Sequence, residues 1–293
     1  MTHEELSKLY NQASVCAERL SLPLGNQVWR GMAGEFQGAG TGSSIDFQDH
    51  RAYVPGDDPR HINWQAYART GSYSMKLYRE EVRPVIDIIL DASESMFFQQ
   101  DKAARTAELF YFAAISAAQA GASTRLHIIR GDNYRELPMD AITSHLWLEN
   151  IKSMPKENEQ AANLALDKVP MRGNAIRILI SDLLFEGDPS HPLRLLTHQQ
   201  GKGILFAPFL TSEAQPEWEG NYEFIDAEVT SHHPHRIEKS TLRHYHKAYA
   251  AHFAQWHANA RRYNIPFARV SSDTNLLDAL NSEAVSASAL VIT

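Results

Sequence analysis

Cysteine is nearly absent. Cys16 is the only one, so no disulfide can form within the chain and a reducing, cytoplasmic compartment is expected. Cys16 falls in a predicted helix and reads as a small apolar residue. No apolar run approaches the roughly 20 residues that span a bilayer, and Met1 to Leu9 has no basic stretch leading into an apolar one. Secretion and direct membrane insertion are therefore not expected. Positive charge is also short, with 28 Lys+Arg against 35 Asp+Glu and a formal charge of -7. That balance gives no electrostatic basis for binding nucleic acid. The glycine-dense stretch Gly31, Gly34, Gly38, Gly40 and Gly42 lacks the lysine and the following helix of a phosphate-binding loop. Its glycines read as turn geometry, and any nucleotide chemistry must come from a partner.

What remains is an ordinary globular composition, 43% hydrophobic and 22% charged over 293 residues, enough for one main domain with an appendage. A leading helix is predicted over Glu4 to Leu20, with Leu6, Leu9, Ala13, Ala17 and Leu20 at helical spacing. It accounts for a first segment, 1–24. From 25 to 84 the chain is polar and aromatic, and it reads as short strands and loops. After Pro84 the texture changes. Val85-Ile86-Asp87-Ile88-Ile89-Leu90 is a β-branched run of the kind buried on both faces of a sheet. Helical spacing follows from Ala103 to Ala118, closed by Gly121. The alternation continues with strands over Arg125 to Arg130, Ala175 to Ser181, Gly203 to Leu210 and Phe267 to Val270. Helices over Ala141 to Met154, Leu193 to Gln200, Leu242 to Tyr263 and Asn275 to Leu280 lie between and after them. This predicts an α/β domain over 85–293, doubly wound on a mostly parallel sheet.

The most informative residues stand where the first buried strand leaves that sheet. Asp91-Ala92-Ser93-Glu94-Ser95-Met96 places a carboxylate and two hydroxyls at i, i+2 and i+4 of an extended segment, so the three lean to one side. Ligands collect outside the carboxyl ends of strands in such sheets, and hard oxygen ligands of this kind suit magnesium. A second buried strand, Ala175 to Ser181, ends in Asp182, so two strand-end carboxylates are expected to face one crevice. The plainer alternative has equal weight: Ser93 or Ser95 caps the coming helix, and Asp91 holds its own turn. Three other features read as less than sites. Asp57-Asp58 beside Gly56 and Pro59 is turn chemistry with Arg51, Arg60 and Arg69 at hand. His232-His233-Pro234-His235 lacks zinc-ligand spacing and reads as a solvated loop. Trp64 reads as an anchor for its segment.

The stretch from Asp46 to Trp64 carries the pattern Arg-x-Tyr-x-x-Gly-Asp-Asp-x-Arg-x-Ile-x-Trp, running from Arg51 to Trp64, and is followed by Ala68-Arg69 and by Asp91 to Met96. Together these resemble the bacterial family catalogued as domain of unknown function 58, over most of the chain. The resemblance implies a von Willebrand factor type A-like domain with a β-rich segment before its first core strand. It also implies association with a MoxR-type AAA+ ATPase and a protein client that is not identified. Carried over, the metal-ion-dependent adhesion motif of type A domains assigns Asp91, Ser93, Ser95 and Asp182 as metal ligands, with Mg2+ as the expected ion. One ligand departs from the pattern: Ala162 stands where a threonine is expected, which weakens, reshapes or removes the site. The expected function is a non-enzymatic adaptor that binds a partner's acidic group. The alternative is a metal-dependent phosphohydrolase using Asp91 as nucleophile. Ser93 stands where such an enzyme needs its general acid, and no Gly-x-Ser-x-Gly elbow supports a serine hydrolase.

Overall fold

The computed structural model describes residues 1–24, 46–56, 59–79, 83–155, 164–185, 187–225 and 232–293. The glycine-dense stretch, the Asp57-Asp58 pair and Ala162 lie outside them. Contacts divide the chain into one unit of Met1–Gln27 with Pro84–Thr293 and another of Val28–Arg83.

In chain order the elements are α1 (His3–Ala17), β1 (Leu20–Ser21), β2 (Asp46–Ala52), α2 (Trp64–Thr70), β3 (Ser74–Arg79), β4 (Val85–Asp91), α3 (Glu94–Phe97) and α4 (Gln100–Gln119). They continue with β5 (Ser123–Arg130), β6 (Asn133–Leu137), α5 (Asp140–Thr143), α6 (Trp147–Lys152), β7 (Ile176–Ile180), α7 (Ser190–Thr197), β8 (Lys202–Phe209) and α8 (Thr211–Ala214). Last come β9 (Gly220–Ile225), β10 (His232–Ile237), α9 (Lys239–Arg262), β11 (Phe267–Ser271), α10 (Leu276–Ala279) and β12 (Val291–Ile292).

The smaller unit pairs β2 with β3 antiparallel. It also holds a helix, α2, where strands and loops were expected. Asn63 caps α2 by accepting from the Ala66 N–H at 3.1 Å, and Gly71 ends it in the left-handed region at φ 70°. Trp64 lies edge-on to Tyr67 and Tyr73 within this unit.

The larger unit is built on a six-stranded sheet in the order β11-β8-β7-β4-β5-β6, mixed α/β and mostly parallel. The antiparallel edge strand β6 joins β5 through Gly131-Asp132, with Gly131 at φ 51° in a two-residue turn. From Ile86 onward β4 is buried, as its run of β-branched residues requires of a central strand. Burying α4 under α1 completes one layer: Leu6, Ala13, Cys16 and Ala17 of α1 are all buried. The leading helix, expected as a separate segment, therefore belongs to the main body. Burial pushes the Cys16 thiol up to about 11, which keeps it protonated and inert. Opposite, Phe253, Trp256 and Ala260 of α9 join Leu193 and Leu196 of α7 over β7 and β8.

Two further expectations change. The predicted helix from Ala141 to Met154 is two short helices, because His145 turns the chain at φ 60°. The ring of His145 is held there, its Nδ1 2.7 Å from the Tyr111 hydroxyl and its Nε2 3.1 Å from Ser7 Oγ. The histidine cluster starting at His232 is strand β10, paired antiparallel with β9, and not a loop.

Gly201 leaves no room for a side chain where the sheet meets α7. A methyl group on Gly201 would lie 2.5 Å from the Arg177 guanidinium. That group is pinned by donating to the Leu195 and Arg172 carbonyls, both at 2.7 Å. Gly201→Ala is expected to lower the unfolding free energy by about 1–3 kcal/mol through overpacking, read from the denaturation midpoint in urea. An unchanged midpoint would mean that Arg177 yields freely.

Candidate functional site

The strand order reverses direction at β4: the chain moves from β4 to β5 on one side, then returns to place β7 on the other. This is the switch point at which open α/β sheets form a crevice beyond their strand ends. Asp91 is the last residue of β4, and Asp182 lies two residues beyond β7. The four residues predicted from the sequence are brought together here. Asp91 Oδ1 accepts from the Ser93 N–H at 3.0 Å, Ser93 Oγ and Ser95 Oγ are 3.1 Å apart, and Ser95 Oγ donates to Asp182 Oδ2 at 2.9 Å.

The chain turns sharply to make this possible. Leu183 follows Asp182 in the left-handed region at φ 59°, a conformation that a branched residue adopts only under constraint. The turn aims the Leu184 N–H at Asp182 Oδ1, 3.1 Å away. His252 Nε2 lies 2.7 Å from the Leu183 carbonyl and ties α9 to the same turn. On the other strand, Ser93 gives its side chain to the crevice and makes no side-chain cap to α3.

Three members of the site were not anticipated. Ser181 Oγ donates to Asp91 Oδ2 at 2.6 Å and accepts from the Leu183 N–H at 3.1 Å. Lys102, near the start of α4, places Nζ 2.8 Å from Asp182 Oδ2 and 2.9 Å from Glu213 Oε1 of α8. A signal for Lys102 was present: it lies one turn before Thr106 on a helix face that is otherwise buried. A cation on a buried stripe requires an acid partner. The partners themselves are distant in sequence and carry no local mark.

The electrostatics follow from burial. Burial first, and then the charge of Asp182, push the Asp91 carboxyl up to about 6. Burial alone would lower the Lys102 ammonium, but the charges of Asp182 and Glu213 outweigh it and hold the group above its ordinary range.

The residue types suit a hard cation, since carboxylates and hydroxyls converge. Their arrangement does not. Each carboxylate oxygen of Asp91 and Asp182 already accepts from a donor of the chain: two backbone N–H groups, two serine hydroxyls and one ammonium. Asp91 and Asp182 are both buried, and Lys102 is 1% exposed. A divalent ion on Asp182 Oδ2 would compete with Lys102 and the Ser95 hydroxyl for that oxygen. No group of three or more His, Cys, Asp or Glu placed to hold a metal occurs among the described residues.

Beside the sealed crevice lies an open one. A cleft of about 680 Å³ is lined by Ser93, Glu94, Phe97, Phe98, Arg130 and Lys152, among others. Phe98 is 61% exposed. Arg130 pairs with Glu94 and donates to the Ile151 carbonyl at 3.2 Å, which fixes α6 against α3. Lys152 makes no ion pair among the described residues.

A family model described as "Protein of unknown function DUF58" matches residues 49–255. Among solved structures, the chain is similar to a conserved hypothetical protein BatB from Bacteroides thetaiotaomicron, at 16% identity and TM-score 0.36, covering 70% of this chain and 98% of that one. It is also similar to an aerotolerance-related membrane protein from Bacteroides fragilis, at 18% identity and TM-score 0.31, covering 62% and 98%. At these scores neither likeness bears on function. No curated protein matches the chain. No helix among the described residues is long and apolar enough to cross a membrane.

Proposed function

Since the chain belongs to the DUF58 family, we propose that it is a non-enzymatic protein-binding adaptor working with a MoxR-type AAA+ ATPase in the cytoplasm. The six-stranded sheet is read as von Willebrand factor type A-like, and the array Asp91, Ser93, Ser95, Asp182 as a degenerate metal-ion-dependent adhesion site. The observation that carries this reading is the position of the cleft. It opens beside Ser93 at the strand-end switch point, where binding surfaces of such sheets lie. Phe98 offers an exposed aromatic anchor, and Lys152 with the Ser93 hydroxyl suits an acidic group of the partner. The client remains a protein, remodelled at the expense of the partner's ATP.

Asp91 as a phosphatase nucleophile is disfavoured by the same geometry, because both its oxygens are engaged and the residue two positions on is Ser93. Affinity capture from the native cell with the intact chain is expected to retain an AAA+ ATPase, and Phe98→Asp is expected to lose it. Absence of such an ATPase from both captures would end the MoxR assignment. Turnover of generic phosphoesters that vanished with Asp91→Asn would replace the adaptor by the enzyme.

A further inference from the structure

We infer that Lys102 is the resident cation of the strand-end crevice, so that its ammonium holds the place a divalent metal would take and the site works without one. The inference deepens the functional reading above and rests on the same crevice. Three observations meet in it. Nζ of Lys102 bridges Asp182 of the β7 end and Glu213 of α8 at 2.8 and 2.9 Å. Asp182 Oδ2 takes both this ammonium and the Ser95 hydroxyl, and Ser95 is one of the two hydroxyls that would face a metal. The side chain is 1% exposed on a helix packed over the sheet.

A buried ammonium needs carboxylates about it, and a buried carboxylate needs a cation or hydrogen-bond donors. Here each demand is met by the other. Magnesium binds six oxygens and gives up its water reluctantly, so it competes poorly with a cation already tethered to the protein. Lys102 also links the crevice to the outer helix. Glu213 holds the ammonium with its side chain, and its carbonyl accepts from the Tyr245 hydroxyl of α9 at 2.7 Å. The residue that neutralises Asp182 thus also holds the side chain of Glu213, whose backbone carries the Tyr245 contact from α9.

The test is thermal unfolding of the full chain with and without millimolar Mg2+ or Mn2+, at matched ionic strength, for wild type, Lys102→Met and Lys102→Met/Glu213→Gln. The wild type is expected to move by less than about 1 °C. Removing the ammonium is expected to create a metal response of roughly 2–4 °C or more. A wild-type rise that Asp91→Asn abolishes overturns the inference, because the metal then binds despite Lys102. Lack of response in all three proteins also overturns it, because Lys102 then holds no cation's place. Should neither variant fold, bound Mn2+ counted by electron paramagnetic resonance on the wild type decides: none agrees, one ion overturns. No arm uses a partner protein, so a failed adaptor reading leaves this result standing.

Discussion

Replacing Lys102 by methionine is expected to lower the unfolding free energy by roughly 3–5 kcal/mol, the cost of removing one partner from a buried ion pair. An exposed pair would lose about 1 kcal/mol or less. The difference is set by surroundings. Methionine keeps most of the apolar stem of lysine, so packing of α4 changes little and the effect reports charge. Asp182 would retain the Ser95 and Leu184 donors, but its negative charge would face the Asp91 carboxyl with no cation between α4 and the sheet. Glu213, partly exposed, can turn towards water, so most of the penalty falls on Asp182. Denaturation in urea measures it. Asp182→Asn added to Lys102→Met should recover part of the loss. A loss below about 1 kcal/mol would mean that water reaches the pair.

Asp91→Asn is expected to act in the opposite direction. Folding holds the Asp91 carboxyl at about 6 against an ordinary value of 3.8, through burial first and the charge of Asp182 second. A group whose pKa is raised on folding contributes stability that is fully present below its unfolded value and lost as pH rises through its folded one. For Asp91 that window runs from 3.8 to about 6. The neutral amide does not suffer this loss. At about 1.4 kcal/mol per pKa unit, the variant should exceed the wild type by up to about 3 kcal/mol at mildly alkaline pH. The advantage should vanish below about pH 4. The amide keeps an oxygen for the Ser93 N–H, and Ser181 Oγ can rotate to accept from its nitrogen. Stability curves of both proteins across this range give the answer, and parallel curves would refute it.

Much of this architecture is written in local pattern. The strand at Val85 is legible because a central strand needs apolar residues on both faces, and α9 because Phe253, Trp256 and Ala260 recur at helical spacing. That Asp91 and Asp182 meet follows from two buried strands ending in acids, given that parallel strands place their ends together. Other features were legible but subtle. Gly131-Asp132 is a hairpin signal between β5 and β6, and Asn63 with Gly71 brackets α2. The break at His145 is different, because the ring's partners Ser7 and Tyr111 come from α1 and α4. The closure of the crevice is likewise tertiary. Lys102 is 80 residues from Asp182 and 111 from Glu213, and only the fold makes it their counter-ion. A motif read in isolation offers its oxygens to solvent, whereas here the chain itself takes them.

On the proposed adaptor reading, recognition passes from the carboxylates to the cleft beside them. Titrating the proposed MoxR-type ATPase partner against wild type, Phe98→Asp and Asp91→Asn compares the two directly. The account predicts that Phe98→Asp weakens binding by about thirty-fold, near 2 kcal/mol for a buried aromatic anchor, while Asp91→Asn stays within about three-fold, or under 0.7 kcal/mol. Binding that survives Phe98→Asp and is lost with Asp91→Asn would contradict it.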